Sequence, residues 1–231
     1  MATREIAGRP HSIATAEARA DAVPGSWTSA RIYEPFLWLA ERSVMAELRR
    51  SLVAQVRGAV LEVGAGTGLN LAHYPDGLDR LVLCEPNRHM AQRLARRVGR
   101  LGRDAQIVRA PAETLPFDDA TFDTVVSTLV LCTVADPEAS LDEIGRVLRP
   151  DGALLFLEHV RADGVRLARW QDRLHGPWSA FADGCSCNRR TLERLSGRGY
   201  AVSVWQRARW RRMPPIVRPL VAGQATPRST G

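Results

Sequence analysis

Short apolar runs alternate with amphipathic segments along most of the chain. The runs are four to seven residues long and rich in aliphatic side chains, which is typical of strands covered on both faces. They occupy residues 59–63, 81–85, 106–109, 122–127, 153–159 and 200–206. Because strands that alternate with helices form mainly parallel sheets with helices on both faces, the pattern predicts a doubly wound α/β fold.

Two amphipathic segments are the clearest helix candidates. Residues 31–57 carry apolar side chains at helical spacing, interrupted early by Pro35, and predict a helix that lies on the sheet. Residues 138–148 place their apolar side chains on one face, and the turn at Pro150 ends this helix before the next strand. Both segments fit the helical layers of the same fold.

The ends of the chain and one internal segment break the pattern. The first 28 residues are polar and Ala-rich, so we expect a flexible N-terminal segment, and residues 228–231 form a tail. Residues 160–199 contain two Trp, a helical stretch and an Asp-Gly turn, and we interpret them as a substrate-side insertion, a lid before the last strands. A single domain is predicted over 29–227, with a lid helix at 29–57.

Size and composition are those of an ordinary globular domain. The chain has 231 residues, of which 45% are hydrophobic and 25% charged. The chain contains no run of roughly eighteen apolar residues that could span a bilayer, and the N-terminal residues lack the apolar core of a secretory signal. We therefore expect a cytoplasmic protein without stable membrane insertion.

The positive charge is concentrated near the C-terminus. All 32 basic residues are Arg, and residues 189–231 hold ten of them against a single acid, Glu193. A basic segment can bind nucleic acid, but Arg-rich edges are more often simply solvated, so nucleic-acid binding is not expected. The four Cys lack the spacing of zinc ligands, so neither a metal site nor a disulfide scaffold is expected.

The strongest chemical signal follows the first apolar run. The strand leads directly into Gly64-Ala65-Gly66-Thr67-Gly68, with three glycines at alternate positions. Glycines at this spacing let the backbone turn sharply and approach a ligand without a Cβ in the way. The pattern predicts a site for a nucleotide-like cofactor, with a simple Gly-rich turn as the alternative.

A carboxylate at the end of the second strand narrows the class of nucleotide-like ligand. Glu85 lies seventeen residues after Gly68, where an acidic side chain can accept hydrogen bonds from both hydroxyls of a ribose. A dinucleotide fingerprint would have Gly at the position of Leu69, and the chain has no phosphate-binding Gly-Lys loop. Adenosine without phosphates is the better interpretation.

These motifs resemble those of the class I S-adenosylmethionine-dependent methyltransferases, and the chain is similar to the ubiquinone/menaquinone methyltransferase-like members. The similarity rests on the E-x-G-x-G-x-G sequence, on the strand-ending acid, and on residues 110–118, 122–126 and 141–152; it covers 58–160. It implies a Rossmann-like, mainly parallel sheet of seven strands. It also implies S-adenosyl-L-methionine as cofactor and S-adenosyl-L-homocysteine as its product.

The resemblance further implies which residues bind the cofactor. Glu62 and the glycine loop approach the methionine moiety, Glu85 holds the ribose, and Ala112 borders the adenine. The family's usual Gly-Asp before that segment is Ala110-Pro111 here, so Glu113 is the candidate to replace the missing Asp. The predicted set is Tyr33, Glu62, Gly64, Ala65, Gly66, Gly68, Asn70, Glu85, Pro86, Met90, Ala112, Glu113, Thr128 and Leu129.

Further short segments point to a branch of this family. Residues 127–134, 156–160, 182–185 and 217–219 look like the alkyl thiol methyltransferase-like proteins, which implies a small thiol as acceptor. Transfer to carbon, oxygen or nitrogen of a quinone-like or aromatic small molecule stays open. So do an RNA-binding protein that uses the Arg-rich segment and a cofactor-binding scaffold or cyclase that transfers no methyl group. The sequence does not indicate an oligomeric state.

Two residues are candidates for catalysis. Ligands of open α/β sheets gather beyond the carboxyl ends of the strands, which places Glu158 and His159 toward the substrate mouth. His159 could accept a substrate proton, or it could be a strand-end histidine bonded to a neighbouring loop. Asp183 could orient His159, or it could simply make a turn.

A thiol acceptor would need little help from such residues. Its pKa lies near ~8.5, so part of it is already thiolate at neutral pH, whereas a hydroxyl would need a base. The aromatic side chains of residues 160–199 either line an apolar acceptor pocket or pack a lid against the core. These aromatic residues are Trp170, Trp178 and Phe181.

Overall fold

Seven strands and six α-helices make up the part of the chain that the computed structural model describes, residues 10–22 and 44–228. The strands are β1 (Ala59–Val63), β2 (Arg80–Cys84), β3 (Gln106–Val108), β4 (Phe122–Thr128), β5 (Leu148–His159), β6 (Tyr200–Arg209) and β7 (Pro219–Pro227). The helices are α1 (Pro10–Ala22), α2 (Ala46–Val53), α3 (Arg88–Leu101), α4 (Pro137–Val147), α5 (Val165–Phe181), α6 (Thr191–Gly197) and a 3-10 helix, Pro215–Val217.

The strands form one doubly wound sheet. Their order is β3-β2-β1-β4-β5-β7-β6; the first five are parallel to one another, and β7 is antiparallel to both β5 and β6. The chain moves outward in one direction from β1 and in the other from β4. A topological switch point therefore lies between these two strands, where ligands of such sheets bind. The predicted doubly wound, mainly parallel, seven-stranded sheet is confirmed.

All six strands predicted from the apolar runs are present; β1 has the predicted bounds, and the other five have shifted ends. β5 begins at Leu148 rather than at 153, because Leu148 already pairs with Phe122 ahead of a register irregularity. β6 continues to Arg209, three residues beyond the predicted end. β7 corresponds to no apolar run, since Pro and Gly interrupt its sequence. Only the family resemblance implied this seventh strand.

The two predicted helices are present in the described residues. α4 begins one residue before 138, where the side chain of Asp136 accepts a hydrogen bond from the amide of Ala139 at 3.0 Å. The helix predicted over 31–57 is represented by α2, which ends at Val53, four residues before the predicted end; its part up to residue 43 lies outside the described residues. α2 carries Leu48 and Leu52 into the core.

Two apolar clusters cover the two faces of the sheet. Successive side chains of a strand point to opposite faces, so Val60 belongs to the first cluster and Leu61 to the second. α2 packs into the first cluster and α4 into the second. This two-sided burial explains why the strands are nearly continuous apolar runs rather than alternating ones.

The segment 160–199 contains α5 and α6. Gln171 of α5 is fully buried, and its side-chain amide donates to the carbonyls of Val160, Cys187 and Ile216 at 3.1, 2.9 and 2.8 Å. Its oxygen accepts from the amide of Ala162 at 2.8 Å. One side chain therefore fixes α5 to the end of β5 and to the 3-10 helix. The lid function of this segment stays a prediction.

The N-terminal segment includes α1 within its described residues. Ala16 and Ala20 are buried, and Arg19 donates a hydrogen bond to the Thr114 hydroxyl at 2.8 Å. The domain boundaries and the flexibility of residues 1–28 stay predictions. Within the described ranges, no helix is both long enough and apolar enough to cross a membrane, and no three side chains are grouped as metal ligands.

Candidate functional site

The glycine loop after β1 lies at the switch point, beside the cleft in which sheets of this type bind their ligands. Gly64, Gly66 and Gly68 all have positive φ angles, of 58°, 58° and 81°. A Cβ on Gly64 would lie 2.5 Å from Val130, and one on Gly68 would lie 2.7 Å from Leu71. A Cβ on Gly66 would meet nothing within 4 Å. Two glycines therefore pack the loop onto the protein, and the third leaves open space where a ligand can approach the backbone.

Glu85 is held against this loop. Its Oε2 accepts a hydrogen bond from the amide of Gly66 and its Oε1 one from the amide of Asn87, both at 2.8 Å. Burial, with a smaller contribution from the charge of Asp183, raises the pKa of Glu85 to about 7 against the lowering effects of the two amides and Arg109. Each carboxylate oxygen keeps a lone pair for a ligand hydroxyl.

Glu62 sits at the centre of a buried polar chain. Asn70 donates to its Oε1 at 2.8 Å and Tyr74 to its Oε2 at 2.9 Å. The Asn70 side chain also reaches Thr128 Oγ1, at 3.1 Å, and accepts from Arg49 of α2 at 3.0 Å. Burial raises the pKa of Glu62 to about 7, although Tyr74, Arg49 and Asn70 all lower it. This buried polar chain thus places the carboxylate of Glu62 and the guanidinium of Arg49 beside the glycine loop.

Arg49 and Tyr74 were not predicted as site residues. Both are buried and contact the polar chain through Asn70 and Glu62, respectively. Neither belongs to a motif with fixed spacing. A signal for Arg49 was present nonetheless, because it is a charged residue between apolar side chains on the buried face of α2.

The turn after β4 lies beside the glycine loop, because Val130 packs at Gly64. Leu129 has a φ of +59°, unusual for a residue with a side chain, and its amide donates to the carbonyl of Leu157 at 2.8 Å. Such strained positions concentrate at ligand sites, where the surrounding structure enforces them. Thr128 and Leu129 therefore lie where the sequence predicted, at the carboxyl end of β4.

The predicted adenine side is partly occupied by other contacts. Pro86 and Met90 are half-buried at the start of α3, and Ala112 is buried beyond β3. Glu113 turns toward the loop before α4, where its Oε1 accepts from the amides of Ala135 and Asp136 at 3.0 and 3.3 Å. Its role as an adenine contact stays a prediction.

Sequence comparisons agree with this geometry. Residues 61–156 match the family described as "Methyltransferase domain". The chain is 34% identical over 192 residues to thiol S-methyltransferase TMT1B of Homo sapiens, an alignment that covers 78% of this chain and 76% of that protein. The chain belongs to the class I S-adenosylmethionine-dependent methyltransferases. Thiol S-methyltransferase TMT1A of Homo sapiens is 31% identical over 198 residues, covering 84% of this chain and 81% of its own length.

A solved structure shares the methyltransferase fold. It is a SAM-dependent methyltransferase of Thermotoga maritima, titled a possible histamine N-methyltransferase, with a TM-score of 0.65 and 22% identity; it covers 87% of this chain and 97% of its own. The resemblance of the sequence to class I methyltransferases is therefore confirmed. So is the Rossmann-like sheet.

The described residues of this methyltransferase fit S-adenosylmethionine. The open space at Gly66 admits the cofactor to the backbone, and the Glu85 carboxylate can accept from the ribose hydroxyls. The Glu62 carboxylate and the Arg49 guanidinium, which are linked through Asn70, complement the charged amino acid end. The individual cofactor contacts stay predictions. Tyr33 lies outside the described residues.

Glu158 does not face the substrate mouth of the methyltransferase, contrary to the sequence-based expectation. It is fully buried, and it accepts from the Ser127 hydroxyl at 2.7 Å and from the amides of residues 130, 131 and 132 at 3.0, 3.0 and 3.2 Å. Burial raises its pKa, and these hydrogen bonds lower it. Glu158 therefore holds the turn after β4 in place.

His159 is buried beside an aromatic ring. Its imidazole stacks on the indole of Trp210, with ring centroids 5.8 Å apart and planes 21° apart. Burial lowers the pKa of His159 to about 4, although the backbones of Pro219 and Val217 raise it. The side chain is neutral at physiological pH. Its role as a proton acceptor in this methyltransferase stays a prediction.

Asp183 lies on an exposed loop that leads from α5 back to the cleft. Its φ is +50°, and its negative charge raises the pKa of Glu85. Of the three aromatic candidates, Trp178 packs against the first apolar cluster, with the Phe181 ring 5.7 Å away. Trp170 and Phe181 are 55% and 61% exposed. The catalytic role of Asp183 stays a prediction.

Proposed function

We propose that this methyltransferase transfers the methyl group of S-adenosylmethionine to the sulfur of a small, apolar thiol. Two relatives described as thiol S-methyltransferases align with more than three quarters of the chain, which supports a shared acceptor chemistry. The bound cofactor supplies an electrophilic methyl carbon on a sulfonium centre.

The observation that carries the proposal is that neither titratable side chain at the end of β5 is suited to act as a strong base. Among the described residues at the end of β5, Glu158 is occupied by four donors, and His159 is buried with a pKa of about 4. A hydroxyl acceptor needs a stronger base than either. A thiol, with a pKa near ~8.5, ionises without one.

The protein's own residues then bind the cofactor, orient the acceptor and exclude water. Glu85 and the loop at Gly66 fix the cofactor from one side, and the turn at Leu129 closes the other. Catalysis consists of placing the thiolate in line with the methyl carbon in a site from which water is excluded.

Aromatic side chains near the loop of Asp183 favour an apolar acceptor. Trp178 and Phe181 end α5 two to five residues before that loop, and the Phe181 ring is exposed. We propose that these two rings contact the carbon skeleton of the acceptor. Apolar surface that is exposed beside a binding cleft commonly serves ligand binding.

The Arg-rich segment offers little support for a nucleic-acid partner. Arg190, Arg194, Arg198 and Arg207 each form an ion pair within the described chain, with Glu193, Glu138, Asp142 and Asp163, respectively. Arg189 donates to the carbonyl of Leu131 at 2.6 Å. These cations serve the fold, so we propose a small-molecule acceptor only.

A panel of acceptors with one carbon skeleton tests the proposal. Benzyl thiol, benzyl alcohol and benzylamine would each be incubated with the protein and S-adenosylmethionine, and S-adenosylhomocysteine and the methylated product measured by mass spectrometry. We expect the thiol to react roughly 100-fold faster than the other two. Its rate should rise about tenfold per pH unit below the pKa of the acceptor thiol and then level off.

A phenol and a hydroquinone belong to the same panel. Faster transfer to either of these than to any thiol would overturn the thiol assignment and favour carbon or oxygen methylation. Formation of S-adenosylhomocysteine without a methylated thiol in any assay would do the same. Binding of S-adenosylhomocysteine, measured separately by calorimetry, keeps a wrong acceptor distinguishable from an inactive preparation.

A further inference from the structure

Two buried cysteines meet where the turn after β4 contacts the loop of Asp183. Cys132 lies in the turn after β4, and Cys185 follows the loop of Asp183. Their Sγ atoms are 3.9 Å apart. The amide of Ser186 donates to the carbonyl of Cys132 at 2.7 Å, so the two backbone segments are also joined.

We propose that Cys132 and Cys185 form a reversible disulfide, a redox modification site that ties the loop of Asp183 to the turn after β4. A disulfide needs an S–S distance of about 2.05 Å. The thiols already touch, and the backbone hydrogen bond holds the segments at close range, so side-chain rotation can close the remaining gap.

The surroundings give the two thiols different chemistry. A hydrogen bond with Cys132 lowers the pKa of Cys185, whereas contact with Cys185, burial and the charge of Glu158 raise that of Cys132. Cys185 is therefore the thiol that ionises first and attacks an oxidant. It is also the one on the exposed loop, next to Gly184.

The oxidant is a low-molecular-weight disulfide, written RSSR. The Cys185 thiolate attacks one sulfur of RSSR, which forms a mixed disulfide and releases one RS⁻. The Cys132 thiol then loses its proton and attacks the Cys185 sulfur, which releases the second RS⁻. Two protein thiols are oxidised by two electrons in total, and one RSSR is reduced to two thiols after protonation.

The other two cysteines provide the contrast. Burial raises the pKa of Cys187 to about 12, and burial also raises the pKa of Cys84, which donates to the carbonyl of Ala110 at 3.2 Å. Buried thiols with raised pKa values react slowly. Cys84→Ser and Cys187→Ser are therefore matched controls for Cys132→Ser and Cys185→Ser.

The linkage would restrict the cleft. The turn after β4 carries Thr128 and Leu129, and the loop on the other side carries Asp183, whose charge reaches Glu85. Joining them limits their separation when a ligand enters or leaves. We expect the oxidised protein to release S-adenosylhomocysteine several-fold more slowly, whatever the methyl acceptor is.

The test is a redox titration of the full chain. The protein is reduced, equilibrated with set ratios of reduced and oxidised glutathione, alkylated, and examined by intact mass and peptide mapping. We expect two of the four thiols to become protected, a cross-link between the peptides of residues 132 and 185, and full reversal by dithiothreitol. The melting temperature should rise by roughly 5 °C or more, because the bond closes a long loop.

Each outcome decides the proposal. The cross-link should persist in Cys84→Ser and Cys187→Ser and be absent in Cys132→Ser and Cys185→Ser. Four alkylated thiols in wild-type protein at the most oxidising ratio would overturn it, as would a cross-link to another cysteine or a stable mixed disulfide at Cys185. An unchanged rate of S-adenosylhomocysteine release, measured by surface plasmon resonance, would overturn the restriction of the cleft. Peptide mapping of wild-type protein needs no variant to fold.

Discussion

The amide of Gly66 donates a hydrogen bond to the carboxylate of Glu85 at 2.8 Å, which joins the loop after β1 to the end of β2. The amide of Ala65 bonds the carbonyl of Cys84 at 2.9 Å in the same junction. The two strongest sequence signals therefore form one unit. A ligand that contacts the glycine backbone must lie within reach of the carboxylate.

Gly66→Ala should weaken cofactor binding at only a small cost to the stability of the fold. Its new Cβ would enter the open space of the cleft, and we expect S-adenosylhomocysteine affinity to fall at least about tenfold by calorimetry. Gly77→Ala is the matched control, because Gly77 also has a positive φ and open space around its Cβ position. Both variants should lose about 1 kcal/mol of unfolding free energy, and only the first should lose affinity. Equal affinities for Gly66→Ala and Gly77→Ala would contradict a cofactor site at the backbone of Gly66.

Cofactor binding should weaken as the pH falls below 7. Burial raises the pKa of both Glu85 and Glu62 to about 7, and a ligand that donates hydrogen bonds or a positive charge favours the ionised forms. Affinity for S-adenosylhomocysteine should therefore rise between pH 5.5 and 8, by up to about tenfold per unit for each group that must lose a proton.

A truncated ligand separates the two acids. 5′-Methylthioadenosine keeps the ribose and lacks the amino acid end, so its pH dependence should reflect Glu85 alone. Glu85→Gln should flatten that profile, and Glu62→Gln should leave it unchanged. A flat profile for wild-type protein with this ligand would show that Glu85 does not titrate against the ribose.

The parts of the site that sequence could predict are those that follow directly from a strand end. The glycine loop and Glu85 are local patterns at the ends of β1 and β2, and the sheet topology brings them together. Arg49 and Tyr74 join the site through long-range contacts with Asn70 and Glu62, and no spacing rule connects them.

Glu158 shows a different limit. Residues 158 and 159 point to opposite faces of β5, but sequence alone does not say which one faces the cleft. The structure places Glu158 among donors of the turn after β4. A buried acid that serves as an acceptor for backbone amides has the same sequence appearance as a catalytic one.

Glu158→Gln should destabilise the protein. The new amide group would place N–H donors against a hydroxyl and backbone amides that now donate to the carboxylate, and we expect a loss of about 3 kcal/mol in urea unfolding. Glu47→Gln is the control, because Glu47 is exposed and pairs, within the described residues, with Arg50 across one turn of α2; its cost should stay below about 0.5 kcal/mol. Comparable losses would mean that the buried acceptor contributes no more than a surface acid.

His159 should make the fold sensitive to acid. Burial depresses its folded-state pKa to about 4 from an ordinary 6.5, so the unfolded chain takes up a proton that the folded one refuses. The stabilising effect is present above pH 6.5 and is lost as the pH falls toward 4, to a total of about 3 kcal/mol.

His159→Phe keeps an aromatic ring against Trp210 and removes the titration. The difference in unfolding free energy between wild type and variant should therefore move in favour of the variant as the pH falls from 7.5 to 4.5. Taking that difference cancels the carboxylates that titrate in both proteins. Parallel curves for wild type and His159→Phe would show that the imidazole keeps its ordinary pKa in the folded protein, and would restore it as a candidate base near neutral pH.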